Sequence, residues 1–329
     1  MKAACITHYN QPWEIVERPI PQPKEGQVLI KIHACGLCGT DLHVHHGLMP
    51  VSLPCVPGHE PVGEIVEKGP GVTHLQTGDR VGVSWVQSGC GRCPMCQGAN
   101  TKYCPSSQTW KDMGGGMAEY MVAWASGCTL LPNDLSYEDA APLFCAGFTI
   151  ASGFYNGRPR PGDTVAVVGI GGLGHLAIQY AKAKGHKVIA ITSSSNKKEL
   201  AMQLGADEVL IADGHLPYKI SSRIDVLLHT GNATSLLPSL FPLMNPEGRI
   251  VIMGLSDSPI QAQPFDVVPK QLTIQGSVQN KRSELVDILT LASKKKIKPM
   301  IELYSLNELP SIVDKLQAGT VRFRAVVQF

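Results

Sequence analysis

The chain has 329 residues, with 29 Lys+Arg against 27 Asp+Glu for a formal net charge of +2. A single core usually stops growing near ~250–300 residues, so two domains are expected. The charge balance argues against a nucleic-acid binder held by bulk charge, and no apolar run of about 18 residues offers a membrane span.

The first ~145 residues read as short strands and turns. VLIKIHA (28–34), GEIVEKG (63–69) and DRVGVSW (79–85) are β-rich and bounded by Gly, Pro and Asp. This half is expected to be mostly β, a barrel-like or partly open sheet. Near residue 147 the pattern changes to alternating strands and helices. TVAVVG (164–169) precedes a helical stretch, 172–185, and KVIAITS (187–193) precedes another, 196–205. EVLIA (208–212), IDVLLHT (224–230), GRIVIMG (248–254) and QLTIQGS (271–277) follow. Six apolar strands with crossovers predict a parallel, doubly wound sheet. RSELVDILTLASKKKIKP reads as an amphipathic helix ended by Pro299, and FRAVVQF as a last strand. Lys294, Lys295 and Lys296 read as its solvated end.

The strand at 164–168 runs into Gly169-Ile170-Gly171-Gly172-Leu173-Gly174, a GxGxxG opening a helix. Gly169 permits the turn, Gly171 lets a pyrophosphate approach the backbone, and Gly174 lets helix and strand pack closely. The helix N-terminus adds N–H donors for phosphate. In this context the motif predicts a dinucleotide cofactor. An acidic residue ~20 positions on would hold a ribose 2′-OH. Here the second strand ends in Thr192-Ser193-Ser194-Ser195-Asn196-Lys197-Lys198, and no carboxylate comes before Glu199. Hydroxyls and lysines suit a 2′-phosphate, which favours NADP(H) over NAD(H).

Ten cysteines are too dilute for a disulfide scaffold in a chain this long. The N-terminus, MKAACITHYNQPWE, shows neither an apolar h-region nor a cleavage site, so a cytoplasmic location is expected and metal binding or catalysis is the better use for the thiols. Cys90-x2-Cys93-x2-Cys96-x7-Cys104 has the spacing of a closed, structural zinc shell. Four cysteines are also the ligand count of an iron–sulfur cluster. Cys5, Cys35, Cys55 and Cys128 read as buried small hydrophobes.

CGLCGTDLH, PGHEPVGEI, GDRVGV, the cysteine knuckle, GGMAEYM, LFCAGFT and VGIGGLGH stand in the order seen in zinc-dependent alcohol dehydrogenases. Across nearly its whole length the chain resembles that branch of the medium-chain dehydrogenase/reductase superfamily, and TSSSNKK is similar to its cinnamyl-alcohol-dehydrogenase-like NADP(H) aldehyde reductases. The resemblance implies an α/β protein. A GroES-like, mostly-β catalytic domain (1–146 and 278–329) would accompany a Rossmann doubly wound cofactor domain (147–277), with the active site in the cleft between them. It implies that Cys38, His59 and Cys145 hold a catalytic zinc, for two Zn2+ per chain. Glu60 is then the carboxylate beside the metal, and Asp41 the group that orients a ligand imidazole. Thr40 contacts the substrate oxygen, and a proton passes by the nicotinamide ribose to His43. Thr149 lies beneath the nicotinamide, and Arg282 and Arg324 lie near the cofactor or make surface ion pairs. Gly39 departs from the family, where many members carry His or Arg. The partners implied are a small alcohol or aldehyde and other copies of the chain, as a homodimer or homotetramer. His45 and His46 are expected at the surface. Trp85 and Trp110 are expected to line the substrate pocket or to sit in the core. Two rivals are a zinc-free quinone or enoyl reductase on the same fold and a non-enzymatic cofactor-binding relative; an NAD-dependent enzyme of the same family is the alternative on cofactor.

Overall fold

The computed structural model describes residues 1–98, 100–212, 220–232, 234–256 and 258–329. It divides into two compact units. The first comprises Met1–Cys145, Asn280–Ser293 and Pro299–Phe329, and the second Ala146–Gln279 and Lys294–Lys298.

The first unit is built on the strand Gln27–Leu37, at 11 residues the longest among the described residues. Its sequence, QVLIKIHACGL, buries almost every position, because neighbours pack on both faces. Pro61–Lys68 pairs along one edge; Tyr120–Trp124 and Arg324–Gln328 share the other. The sheet runs Ile301–Ser305, Arg324–Gln328, Gln27–Leu37, Pro61–Lys68, Arg80–Val83, Cys128–Leu130. The C-terminal strand therefore hydrogen-bonds a strand some 290 residues earlier, which closes the unit. Its core gathers Ile30, Ile32, Ile65, Val81, Trp110, Met117 and Val327, among others. One expectation shifts. The strand expected at 79–85 stops at Val83, and a separate short strand, Val86–Ser88, pairs with Gln108–Thr109.

The second unit is a six-stranded sheet in which every pairing is parallel. In space the strands run Glu208–Ile211, Lys187–Thr192, Thr164–Val168, Ile224–His229, Met244–Ile252, Thr273–Gly276. Counted from the first strand of the unit this is 3-2-1-4-5-6, the doubly wound order with its switch beside the first strand. Thr164–Val168 is buried throughout, as a central parallel strand covered on both faces must be. The helix expected to reach Pro299 ends at Ser293 instead. Lys295 adopts φ +56°, a left-handed residue just past the last turn, which stops the helix before the proline can. Lys294, Lys295 and Lys296 are exposed.

Candidate functional site

The strand Gln27–Leu37 delivers Cys38 to the start of the helix Gly39–His45. The Cys38 N–H donates to Asp41 Oδ2 at 2.9 Å, and Cys38 Sγ accepts from the Thr40 N–H at 3.4 Å. This reciprocal cap fixes both side chains. Asp41 Oδ1 accepts from His59 Nδ1 at 3.2 Å, which turns His59 Nε2 toward Cys38 Sγ, 3.2 Å away. That is the carboxylate–histidine arrangement that sets the tautomer of a metal ligand. Cys145 completes the cluster, and one donor atom each from Cys38, His59, Glu60 and Cys145 lies within 4.8 Å of the others.

Asp41, His59 and Glu60 are buried, with 1% exposure or less. A hydrogen bond from Cys145 and the nearby His59 hold the Cys38 thiol well below its ordinary range despite burial. Cys145 is pushed well up by the same hydrogen bond and by burial. Burial alone would lower His59, but the Cys38 and Asp41 charges outweigh it and raise the imidazole well above its usual range. Burial brings Glu60 up to about 7, against the pull of Arg324. Glu60 Oε1 is paired with Arg324 Nη2, while Oε2 has no hydrogen-bond partner. Two sulfurs, one imidazole and a spare carboxylate oxygen, three of the four donors on buried residues and Cys145 half-buried, suit a tetrahedral cation of zinc's softness. The negative charge they gather is what a dication would relieve.

Cys90, Cys93, Cys96 and Cys104 also meet, again within 4.8 Å. Backbone N–H groups point at the sulfurs: Cys90 and Ser106 donate to Cys104 Sγ, and Cys93 to Cys90 Sγ, each at 3.4 Å. The Arg92 and Cys93 N–H groups hold Cys90 down to about 6. Amides aimed at thiolates are the donor chemistry of a closed metal shell.

The other site residues lie as follows. Thr40 and His43 both sit on the helix Gly39–His45, three positions apart and half-buried, so one face carries both. His46 is exposed, as expected, but His45 is not. It is buried because its Nδ1 accepts from Trp13 Nε1 at 3.0 Å. Cys5, Cys35 and Cys128 are buried, whereas Cys55 is half-buried. The Trp85 ring meets His59 edge-on at 5.3 Å, and Trp110 lies 6.4 Å from it. Arg282 is exposed and donates to Ser126 O. Arg324 is 3% exposed, with its guanidinium on Glu60. That pairing joins residues 264 positions apart, and no local sequence signal could have linked them.

In the second unit Gly169 takes φ +87°, the left-handed turn out of the strand. A Cβ on Gly171 would meet nothing within 4 Å, so its backbone faces open space; a Cβ on Gly174 would strike the Gly169 carbonyl. The helix Gly174–Ala183 follows, entered through the half-buried Gly172 and Leu173. Lys197 Nζ donates to Ile170 O at 2.8 Å, which brings the loop after the second strand against the turn. Thr192 is buried and holds the Ser194 N–H at 3.2 Å; Ser193 is exposed. Thr149 is half-buried on the helix Ala146–Gly157. An open backbone cradle at a helix start fits a dinucleotide pyrophosphate.

A sheet of strand order 3-2-1-4-5-6 in one unit, and in the other a GroES-like sheet with two thiol-rich donor clusters, define the class as a medium-chain dehydrogenase. Residues 24–133 match the family described as "Alcohol dehydrogenase GroES-like domain", and residues 172–294 match "Zinc-binding dehydrogenase". An alcohol dehydrogenase of Geobacillus stearothermophilus is 38% identical over 336 residues, covering 100% of this chain and 99% of the relative. A probable cinnamyl alcohol dehydrogenase of Populus deltoides is 34% identical, over 91% of this chain and 87% of the relative. Among solved structures, a cinnamyl alcohol dehydrogenase from Sorghum bicolor superposes with a TM-score of 0.90 at 28% identity, covering 99% of this chain and 97% of that one. The alcohol dehydrogenase of Aeropyrum pernix also gives 0.90, at 30% identity and full coverage of both chains. The chain belongs to the alcohol dehydrogenase family of zinc-binding, medium-chain dehydrogenases.

Proposed function

We propose that this chain is a zinc-dependent alcohol dehydrogenase that interconverts small alcohols and aldehydes with NADP(H) and runs as an aldehyde reductase. The observation that carries the reading is the buried cluster of Cys38, His59 and Cys145, with the Asp41 carboxylate fixing the tautomer of His59. In the bound state, Lewis acidity at the substrate oxygen comes from the metal and the hydride from the dinucleotide. Cys38, His59 and Cys145 would hold that metal. Glu60, held by Arg324, keeps a carboxylate at the edge of the cluster for ligand exchange. Thr40 Oγ1 exchanges the proton of the substrate oxygen, and His43, on the same helical face, passes it to solvent. Gly169 to Gly174 receive the pyrophosphate, with Thr149 at the nicotinamide and Arg282 near the cofactor. Thr192, Ser193, Ser194 and Lys197 receive the adenosine 2′-phosphate. Residues 1–146 and 278–329 form the catalytic domain in this reading, and 147–277 the cofactor domain. Cys90, Cys93, Cys96 and Cys104 hold the second, structural zinc.

Ten free cysteines suit the reducing cytoplasm. Exposed apolar side chains such as Phe265 and Val268 suit a homodimer or homotetramer. Metal analysis with steady-state rates on aliphatic and aromatic aldehydes tests the proposal. Two zincs per chain and faster turnover with NADPH than NADH are expected. A metal-free chain that turns over enones or quinones instead would overturn it. Ser193→Asp should move preference toward NADH by about 10-fold or more, since a carboxylate repels the 2′-phosphate and binds the 2′-OH.

A further inference from the structure

The first two peptide units of the glycine-rich turn are each held by a side chain from outside it. Thr230 stands just past the strand Ile224–His229, which pairs in parallel with Thr164–Val168. Its N–H continues the ladder onto Val168 O at 3.0 Å. Its hydroxyl then reaches the turn itself and donates to Gly169 O at 2.8 Å, with Val168 O at 3.0 Å. From the other side, Lys197 Nζ donates to Ile170 O at 2.8 Å. Thr230 and Gly169 are 61 positions apart, so spacing along the chain could not have joined them.

The consequence follows from peptide geometry. A trans peptide is planar, and its N–H points opposite to its C=O. The Gly169 carbonyl held on Thr230 therefore sets the direction of the Ile170 N–H, and the Ile170 carbonyl held on Lys197 sets that of the Gly171 N–H. Gly171 is exposed and a Cβ there would meet nothing, so this part of the backbone is open to a ligand. Behind it the fit is close. A Cβ on Gly174 would strike the Gly169 carbonyl and lie 3.0 Å from Thr230 Oγ1, and a Cβ on Gly169 would lie 3.1 Å from Gly231 N. The two strands involved are also the neighbours at which the strand order switches, and the crevice there is where such sheets bind ligands.

We propose that Thr230 is a positioning residue for the cofactor: by holding the Gly169 carbonyl it keeps the N–H groups of the turn aimed at a dinucleotide pyrophosphate before the ligand arrives. This rests on the reading of the turn as a dinucleotide cradle. Thr230 acts through the backbone and needs no contact with the cofactor. A cradle already in its bound shape loses less freedom on binding, so the hydroxyl contributes to affinity.

The test measures fragment binding to the full chain by isothermal titration. 2′-Phospho-ADP-ribose carries the pyrophosphate, whereas adenosine 2′-monophosphate carries the adenosine and 2′-phosphate without it. Thr230→Val keeps the branched shape and deletes the hydroxyl; Thr230→Ser keeps the hydroxyl. Thr230→Val should weaken 2′-phospho-ADP-ribose about 5–10-fold and leave adenosine 2′-monophosphate within about twofold, and Thr230→Ser should stay within about twofold of wild type on both. In steady state the KM for NADPH should rise by the same factor in Thr230→Val, while the KM for aldehyde moves less than about twofold. A residue that only stabilised the fold would lower the unfolding midpoint without separating the two fragments. Unchanged binding in Thr230→Val, equal weakening of both fragments, or no recovery in Thr230→Ser overturns the proposal. If Thr230→Val does not fold, Thr230→Ala is judged by the same criteria. A wild type that binds ADP-ribose more tightly than its 2′-phosphate contradicts the NADP(H) reading, and ADP-ribose against AMP then makes the same comparison for Thr230. A wild type that binds neither form overturns the cradle reading, and the role of Thr230 with it.

Discussion

Asp41 shows how one side chain serves structure and chemistry together. One oxygen caps a helix by accepting the Cys38 N–H, and the other accepts from His59 Nδ1. Asp41→Asn can keep the cap but offers His59 a different hydrogen-bonding partner, and the imidazole loses a carboxylate that favours its ligand tautomer. We expect zinc affinity and kcat/KM to fall about 10–100-fold with the fold intact, measured by competition with a chromogenic chelator and by steady-state kinetics. Arg324 and Glu60 make a different kind of pair. Both are buried, so removing the cation strands a charge: Arg324→Met should cost about 3–5 kcal/mol. The double variant Arg324→Met, Glu60→Gln should recover most of that loss in urea unfolding, because no uncompensated charge remains. A loss in the double as large as in the single would show that the guanidinium acts through packing instead.

At the scale of elements, the helix Arg282–Ser293 and the strand Lys187–Thr192 each carry a testable detail. Lys295 ends the helix at φ +56°, a conformation that costs an L-residue about 1–2 kcal/mol and glycine nothing sterically. Lys295→Gly should therefore stabilise by roughly 0.5–1 kcal/mol after its entropy penalty, read as a higher unfolding midpoint. Asp207 ties the next strand to its helix. Its carboxylate accepts from Lys182 Nζ at 2.6 Å and from the Val188 N–H at 2.8 Å. Burial would raise it, but those donors win and lower it below the ordinary carboxylate value. Its contribution is thus present above the unfolded-state value of ~3.9 and lost as pH falls through the folded one. The stability gap between wild type and Asp207→Asn should close between about pH 4 and lower pH, and a gap independent of pH would exclude this linkage.

For the molecule as a whole, much of the parallel sheet was legible because its strands are continuous apolar runs separated by helical periods; TVAVVG and KVIAIT announce themselves. The β unit was less legible. Its central strand finds one of its partners, Arg324–Gln328, at the other end of the chain, and pairing at that range leaves no local pattern. The two donor clusters differ in the same way. The cysteine knuckle is local, so spacing alone names it, whereas Cys38, His59 and Cys145 are brought together only by the fold, and family resemblance was needed to connect them. That Arg324 pairs with Glu60 and His45 with Trp13 left no sequence signal, since each pairing depends on which buried neighbour lies opposite.

That difference between local and assembled clusters predicts how the molecule fails. The knuckle occupies a loop segment in which Cys90, Cys93 and Cys96 are only half-buried and the helix Pro94–Gln97 buries nothing. With so little core of its own, on the proposed reading its order would depend on the structural zinc. The cluster at Cys38 instead follows the buried strand Gln27–Leu37, in a unit with a large apolar core. Cys38→Ser should therefore keep one zinc per chain, lose nearly all turnover and unfold within about 2 °C of wild type. Cys96→Ser should also keep one zinc but unfold about 10 °C lower or aggregate, while whatever remains folded retains activity per bound catalytic zinc. Scanning calorimetry with metal analysis on the two variants separates these outcomes. If both lost stability alike, the two sites would be one cooperative structure, and the division of labour between them would be wrong.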